Sequence, residues 1–234
     1  MFNKQKAVAI ITARGGSKRI PRKNIKPFLG QPIIKYSIEA ALSSGCFDEV
    51  IVSTDDKEIA EVSALCGAAV PFMRSAKNSD DYASTVDVME EVILEYKKRG
   101  QEFDYTCCIY PTAPFITGAK IKKAMELLKE TDADTVISVV RFGYPPQRAL
   151  KIEQGKMMMI WPEYTASRSQ DLAPAYHDCG QFYCVRTKNF LEQRKLFTSN
   201  TLPLEMPESE VQDIDNEEDW KMAEIKYKLM IDNN

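Results

Sequence analysis

Short apolar runs alternate with segments of helical period from Val8 to Val140, and this alternation constrains the fold more than any other feature of the chain. Val8-Ala9-Ile10-Ile11, Val50-Ile51-Val52-Ser53, Tyr105 to Tyr110 and Thr135 to Val140 have the length and composition of buried strands. Between them, apolar residues recur at helical spacing. Ile34, Ile38, Ala41 and Leu42 mark one face, and Ile59, Val62 and Cys66 a second. Val86, Met89, Ile93 and Tyr96 mark a third, and Ile121, Ala124, Met125 and Leu128 a fourth. Gly45, Gly67 and Gly100 stand where three of these helices should stop, and Ser84 and Thr117 where two should be capped. The pattern predicts βαβ units and a three-layer α/β fold around a mostly parallel sheet. Ligands of such folds bind beyond the carboxyl ends of the strands. Ser53-Thr54-Asp55, Tyr110-Pro111-Thr112 and the loop after Thr12 all fall at such ends, so they are expected to share one crevice.

That loop, Ala13 to Asn24, contains the glycine pair Gly15-Gly16 and five cations, Arg14, Lys18, Arg19, Arg22 and Lys23. Glycines let backbone N–H groups approach a ligand, and successive N–H groups form an anion-binding nest. Arg can grip two phosphate oxygens at once. The loop suits a nucleoside triphosphate, although the Walker pattern G-x-x-x-x-G-K-[ST] is absent. A solvated basic loop is the alternative. The formal net charge of the 234 residues is −3, so the basic cluster is local and favours a small anion over nucleic acid or a membrane surface.

The pattern changes after Val140. Residues 141–175 read as an arm extending from the sheet, with a hairpin around Glu153-Gln154-Gly155-Lys156, a Met157-Met158-Met159 run and Trp161. Gly180 to Val185 returns to strand character. Asp213-Ile214-Asp215 precedes a last helix, Glu217 to Ile231, with Trp220, Ile225 and Leu229 expected inside. No repeat or low-complexity linker divides the chain, so a single domain over 1–234 is expected. No apolar run reaches the roughly 18 residues of a membrane span, and the amino-terminal residues lack the apolar stretch of a signal peptide. The six cysteines form no C-x-x-C pair and are expected to be reduced in a cytoplasmic protein. Cys107 and Cys108, adjacent in a strand, should point to opposite faces.

The loop from Ala13 to Asn24 resembles the signature of the acylneuraminate cytidylyltransferases, the CMP-sialic acid synthetases. Val52-Ser53-Thr54-Asp55, Ser79 to Thr85, Pro111-Thr112-Ala113-Pro114 and Asp213-Ile214-Asp215 are similar to later motifs of that family, in the same order. Arg141 to Leu150 and Tyr176 to Tyr183 resemble its pseudaminic acid branch. Sialic acid enzymes tend to carry an Arg-Pro-Asn-Gly segment where this chain has Tyr176 to Gly180, and Gln where it has Tyr110.

The resemblance implies a Rossmann-like nucleotidyltransferase fold, Mg²⁺, and transfer of CMP from CTP to the anomeric hydroxyl of a nine-carbon keto-acid sugar with release of pyrophosphate. It also implies a homodimer in which the arm completes the neighbour's sugar site. Arg14 and Lys23 would contact the triphosphate and stabilise its charge, with Ala13, Gly15, Gly16, Ser17 and Asn24 around them. Arg74, Ala83 and Thr85 would lie about the cytidine and ribose. Asp213 and Asp215, two apart and so on one side of an extended chain, would hold the metal; capping of the last helix by Asp215, with Glu218 three residues on, is a compatible alternative. The sugar site would be Tyr110, Arg168, Gln170, His177, Asp178, Gln181 and Tyr183, with Arg168 as the cation facing the sugar's carboxylate. His177 beside Asp178 could instead be a structural pair. Other readings stay open: the same chemistry on N-acetylneuraminate or legionaminate, another sugar nucleotidyltransferase, or a nucleotide-binding module without catalysis.

Overall fold

The structure is a computed structural model that describes residues 5–80 and 82–232. Six strands form the central sheet: β1 (Ala7–Thr12), β2 (Glu49–Ser53), β3 (Tyr105–Ile109), β4 (Thr135–Arg141), β7 (Tyr176–Arg186) and β8 (Thr201–Glu205), with β5 (Leu150–Glu153) and β6 (Lys156–Met159) forming a separate hairpin. Their order across the sheet is β8-β4-β7-β3-β1-β2. β1 runs parallel to β2 and β3, and β8 parallel to β4, whereas β7 is antiparallel to both its neighbours. The reason is topological. The chain leaves β4 at its carboxyl end, traverses the arm, and re-enters the sheet from that same end.

Helices cover both faces. α1 (Ile33–Ser43), α2 (Lys57–Leu65) and α4 (Gly118–Glu130) lie on one face. There Ile34, Ile38, Ile59, Ile121 and Met125 pack against Ala9, Ile11, Val52, Cys107 and Phe182. α3 (Thr85–Lys98) and α5 (Thr187–Gln193) cover the other, with Met89, Ile93 and Phe190 against Val8, Ile10, Cys108 and Tyr183. Cys107 and Cys108 thus face opposite layers, as strand alternation requires. The expected caps form: the Ser84 hydroxyl accepts from Asp87 N–H and the Asp87 carboxylate from Ser84 N–H, while Thr117 accepts from Lys120 N–H.

A third, smaller core positions the site. Ile20 from the basic loop, Phe28, Ile33, Phe115, Ile214, and Trp220 and Ala223 of α6 (Glu217–Asp232) are buried together. The Phe28 ring meets Tyr36, Trp220 and Tyr227 edge-on at 5.4, 5.6 and 5.7 Å. Tyr227 and Met230 complete the inner face of α6. This corrects the expected one: Ile225 and Leu229 are 54% and 55% exposed, because Trp220, Ala223, Tyr227 and Met230 form the stripe that meets the cluster. Leu42 is likewise exposed rather than inside α1.

β8 went unread because Pro203 interrupts its apolar pattern. On an edge strand one N–H can face solvent, so proline is tolerated there. The arm is closed at its base by Phe142 N–H donating to Ala175 O at 2.9 Å. Its hairpin turns at Gln154 and Gly155, both with positive φ, as a two-residue primed turn requires. Ile152 and Met157 on it are 75% and 66% exposed.

Candidate active site

The basic loop leaves β1 at the carboxyl end of the sheet and is held from several sides. Ala13 is buried in the core and donates its N–H to Ser53 O at 3.0 Å. Gly15 N–H donates to Asp55 Oδ1 at 2.9 Å, and a Cβ at Gly15 would stand 2.9 Å from Asp56 Oδ2, so only glycine fits this approach. Asn24, buried, donates from Nδ2 to Arg14 O at 2.8 Å. Arg22, in the left-handed conformation, grips Asp56 at 2.6 and 2.9 Å and Glu58 at 2.5 Å, tying the loop to the start of α2. These bonds correct the expectation of a ready nest. The Gly15 and Ser17 N–H groups are engaged within the protein, the latter with Gly15 O at 3.0 Å. The side chains supply the charge instead.

Arg14, Ser17, Lys18, Arg19, Lys23 and Asn24 line a crevice of about 420 Å³ with Thr12, Pro111 and Thr112. The strand ends thus converge as the topology predicts. Lys23 Nζ donates to Ile214 O at 2.7 Å and stands 4.0 Å from Asp215 Oδ1. Burial pushes its pKa down, against the opposing pull of Asp215 and Asp213. Arg19 pairs with Asp215 at 2.6 Å.

Asp213 and Asp215 flank the buried Ile214, which anchors that turn in the third core. Burial, then the neighbouring Asp215 charge, raises the pKa of Asp213. The capping role open to Asp215 is filled by another residue. Asn216 Oδ1 accepts from Glu218 N–H and Asp219 N–H at 2.9 and 3.0 Å, while Asp219 Oδ2 accepts from Asp215 N–H and Asn216 N–H. The Asp215 carboxylate is thereby left to the cations of the loop.

Around the expected nucleoside positions, Arg74 is buried and donates to the Ser53 hydroxyl at 3.0 Å and to the Ser53 carbonyl. Burial lowers its pKa. Ala83 N–H is held by Asp80 Oδ1 at 2.8 Å. The Asp81 between them in the motif lies outside the described residues. Thr85, first residue of α3, shares a hydrogen bond of 3.0 Å with the Tyr110 hydroxyl.

Beside the crevice a second cavity, of about 510 Å³, brings together Tyr110, Arg141, His177, Asp178, Tyr183, Asp213 and Lys226 among its walls. The Tyr183 hydroxyl donates to Asp178 Oδ2 at 2.5 Å, and Gly180 N–H to Asp178 Oδ1 at 2.8 Å. Burial, first of all, raises the pKa of Tyr183 and of Tyr110, so both remain phenols. His177 contacts the Asp178 carbonyl at 2.9 Å rather than its carboxylate, and its ring lies 4.6 Å from that of Phe142. Gln181 is buried behind this wall, with Nε2 donating to Glu210 O at 2.7 Å. Gln170 lines a neighbouring cavity of about 460 Å³. Arg168 stands apart: it is on the arm, 72% exposed, and paired with Asp171 at 2.7 Å.

The family model described as cytidylyltransferase matches residues 8–201, most of this chain. The chain belongs to the cytidylyltransferase family. Within it, the chain is 44% identical over 96% of its length to the pseudaminic acid cytidylyltransferase of Campylobacter jejuni subsp. jejuni serotype O:2, covering 97% of that protein. It is 34% identical over 95% of its length to the CMP-N,N'-diacetyllegionaminic acid synthase of Legionella pneumophila, covering 96% of that protein. Its fold is that of a CMP:2-keto-3-deoxy-manno-octonic acid synthetase solved in complex with CTP, with a TM-score of 0.69 at 18% identity, over 98% of this chain and 100% of the other.

For a member of this family the donor set can be tested against a divalent metal. Among the described residues no three His, Cys, Asp or Glu side chains form a metal cage. Two carboxylates two residues apart are nevertheless the usual protein share for a hard cation whose remaining ligands are phosphate oxygens and water. Burial raises the pKa of Asp213 and the neighbouring Asp215 charge adds to that; a cation between the two carboxylates would offset both charges. The pair fits.

Sequence reasoning gave no individual role to Arg19, Arg141 or Lys226, which line the two cavities. Arg19 had a signal, its place in the loop. Arg141 lay in a motif singled out for resemblance alone. Lys226 enters from α6 and had no local signal.

Proposed function

We propose that this cytidylyltransferase transfers CMP from CTP to the anomeric hydroxyl of a nonulosonic acid, pseudaminic acid, and releases pyrophosphate. One observation carries the reading. The acidic pair stands between the two cavities: Asp215 faces Lys23 and Arg19 of the basic crevice, while Asp213 lines the polar cavity beside it. A triphosphate in the crevice and a sugar in the cavity would therefore meet at that wall. The named pseudaminic acid relative supports the choice of sugar.

In the reaction the sugar oxygen bonds to the α-phosphorus, the bond from that phosphorus to the bridging oxygen of the β-phosphate breaks, and the hydroxyl proton is lost. Such transfer is mostly positioning and stabilisation of charge on the phosphates. Arg14, Lys23 and Arg19 bring cations to the triphosphate. Asn24 fixes the backbone of Arg14, and Ile214 O fixes the Lys23 ammonium. Thr85, Ala83 and Arg74 lie on the nucleoside side, and Tyr110, His177, Asp178 and Tyr183 offer the mixed donors and acceptors that hydroxyl and acylamino groups need. Cytidylyltransferases of this kind generally use a divalent metal. Asp213 and Asp215 would hold Mg²⁺, which, when bound, neutralises phosphate charge and lowers the pKa of the attacking hydroxyl.

The chain acts as a single domain with an arm at 141–175. The exposed Ile152 and Met157 of that arm suit a homodimer in which the arm reaches toward the partner's sugar site; a monomer in sedimentation at micromolar concentration would remove that part. No helix among the described residues is long and apolar enough to cross a membrane. The buried cysteines are free, which accords with a reducing, cytoplasmic setting. The decisive experiment is pyrophosphate release with CTP and Mg²⁺, run in parallel on pseudaminic acid, N-acetylneuraminate and legionaminate. Preference for pseudaminic acid is expected. Preference for another of the three corrects the substrate, and CTP binding without turnover on any of them refutes the enzyme.

A further inference from the structure

A carboxylate drawn from water into a cavity needs a cation to offset its lost hydration. The proposed substrate carries one. Arg168, the cation expected to meet it, is on the arm and already bidentate on Asp171, at 2.7 and 3.3 Å. Two other cations line the sugar cavity itself, Arg141 and Lys226. Lys226 is committed to the backbone, donating to Val211 O at 2.7 Å and Glu208 O at 3.4 Å.

Arg141 differs in three ways. Its guanidinium has no hydrogen bond or ion pair among the described residues. It is the last residue of β4, in register with Tyr176 of β7, so its backbone is held by the sheet and not by a loop. It also lines both the sugar cavity and the neighbouring cavity that contains Gln170. The other charges of the sugar cavity are Asp178, Glu208 and Asp213, which would repel a substrate carboxylate on their own. An uncommitted guanidinium on a rigid strand end, among acidic neighbours, is suited to gripping a carboxylate with two parallel N–H bonds.

We propose that Arg141 fixes the carboxylate of the sugar and so selects keto-acid sugars over neutral ones. The inference rests on the sugar-activating reading above. It is tested by pyrophosphate release from the full chain and its R141Q, R141K and R168Q variants, on the keto-acid sugar and on its C1 carboxamide. Wild type should prefer the carboxylate by about 30-fold in kcat/KM, the scale of a charged bidentate bond. R141Q should lose about that factor on the acid, chiefly in the sugar's KM, with the KM for CTP within about twofold, and should no longer distinguish acid from carboxamide. R141K, with a point charge in place of a fork, should fall between, and R168Q should keep the wild-type preference. Arg141 is exposed, so these variants should unfold at the wild-type temperature. A wild-type preference retained in R141Q, or lost in R168Q, overturns the assignment. Wild type that turns over no keto-acid sugar removes the underlying reading, and the inference with it.

Discussion

The basic crevice proposed for the nucleotide and the polar cavity proposed for the sugar share a wall but are built on different terms. Around the crevice nearly every polar group has a partner within the chain: Gly15 with Asp55, Arg22 with Asp56, Asn24 with the Arg14 carbonyl, Arg74 with Ser53. Around the sugar cavity the floor is tied, through Tyr183 and Asp178, but the outer wall is not. Arg141 projects uncommitted, and the arm holds exposed apolar residues and a surface ion pair. One side is organised before any ligand arrives. The other leaves groups for a ligand to engage.

The sharpest way to break this contrast is Lys23→Ala. A positioned cation on a transferring phosphate is worth on the order of 10²–10³ in turnover, so kcat should fall by about that much. Thermal unfolding should shift little, because the lost bond is one half-buried contact to Ile214 O. Unchanged kcat at normal melting temperature would make Lys23 a scaffold residue.

Tyr183→Phe probes the tied floor of the other side. It removes the hydroxyl that Asp178 accepts and leaves that carboxylate short of a donor. The sugar's KM should rise about tenfold and stability fall by about 1–2 kcal/mol, with the KM for CTP unchanged. A change in CTP affinity instead would mean that the two cavities are coupled through the Tyr110–Thr85 contact.

The smallest effect is electrostatic. Hydrogen bonds from Arg22 hold the Asp56 carboxyl down at about 2, below the usual carboxylate range. A depressed folded-state pKa adds stability that is fully present above the unfolded value, about 3.9. That stability is lost as pH falls through about 2. The pair is partly solvated, so its share is about 1 kcal/mol after screening. Arg22→Ala should lower the unfolding free energy by roughly that amount at pH 7 and flatten the pH dependence between about 4 and 2. A parallel dependence in both proteins would place the stabilisation elsewhere.

The same contrast separates what was legible in the sequence from what was not. The strand-and-helix alternation, the two caps and the converging strand ends depend on residues close in the chain, so periodicity and capping chemistry revealed them. Asp213 and Asp215 enter as the expected metal pair through the family resemblance, and the cap of α6 lies one residue beyond the one expected. Asn216 and Asp219 have the same spacing as Asp215 and Glu218, and it is they that form the cap. The face of α6 was misread because Ile225 and Leu229 are apolar, whereas the stripe that meets Phe28 uses Tyr227 and Met230. Arg168 drew attention by charge type, and only three-dimensional placement reveals that Asp171 already holds it. Long-range geometry of this kind leaves no local mark.

Ile20 and Ile214 lie in one small core under α6. The basic loop and the acidic pair are therefore registered to each other by hydrophobic packing, not by the charges alone. An opening of α6 from its Trp220 anchor would release both at once while the sheet stayed intact. Heat inactivation should then precede global melting, with amide exchange in α6 rising in step with lost activity. The helix farthest along the chain would act as the enzyme's fuse.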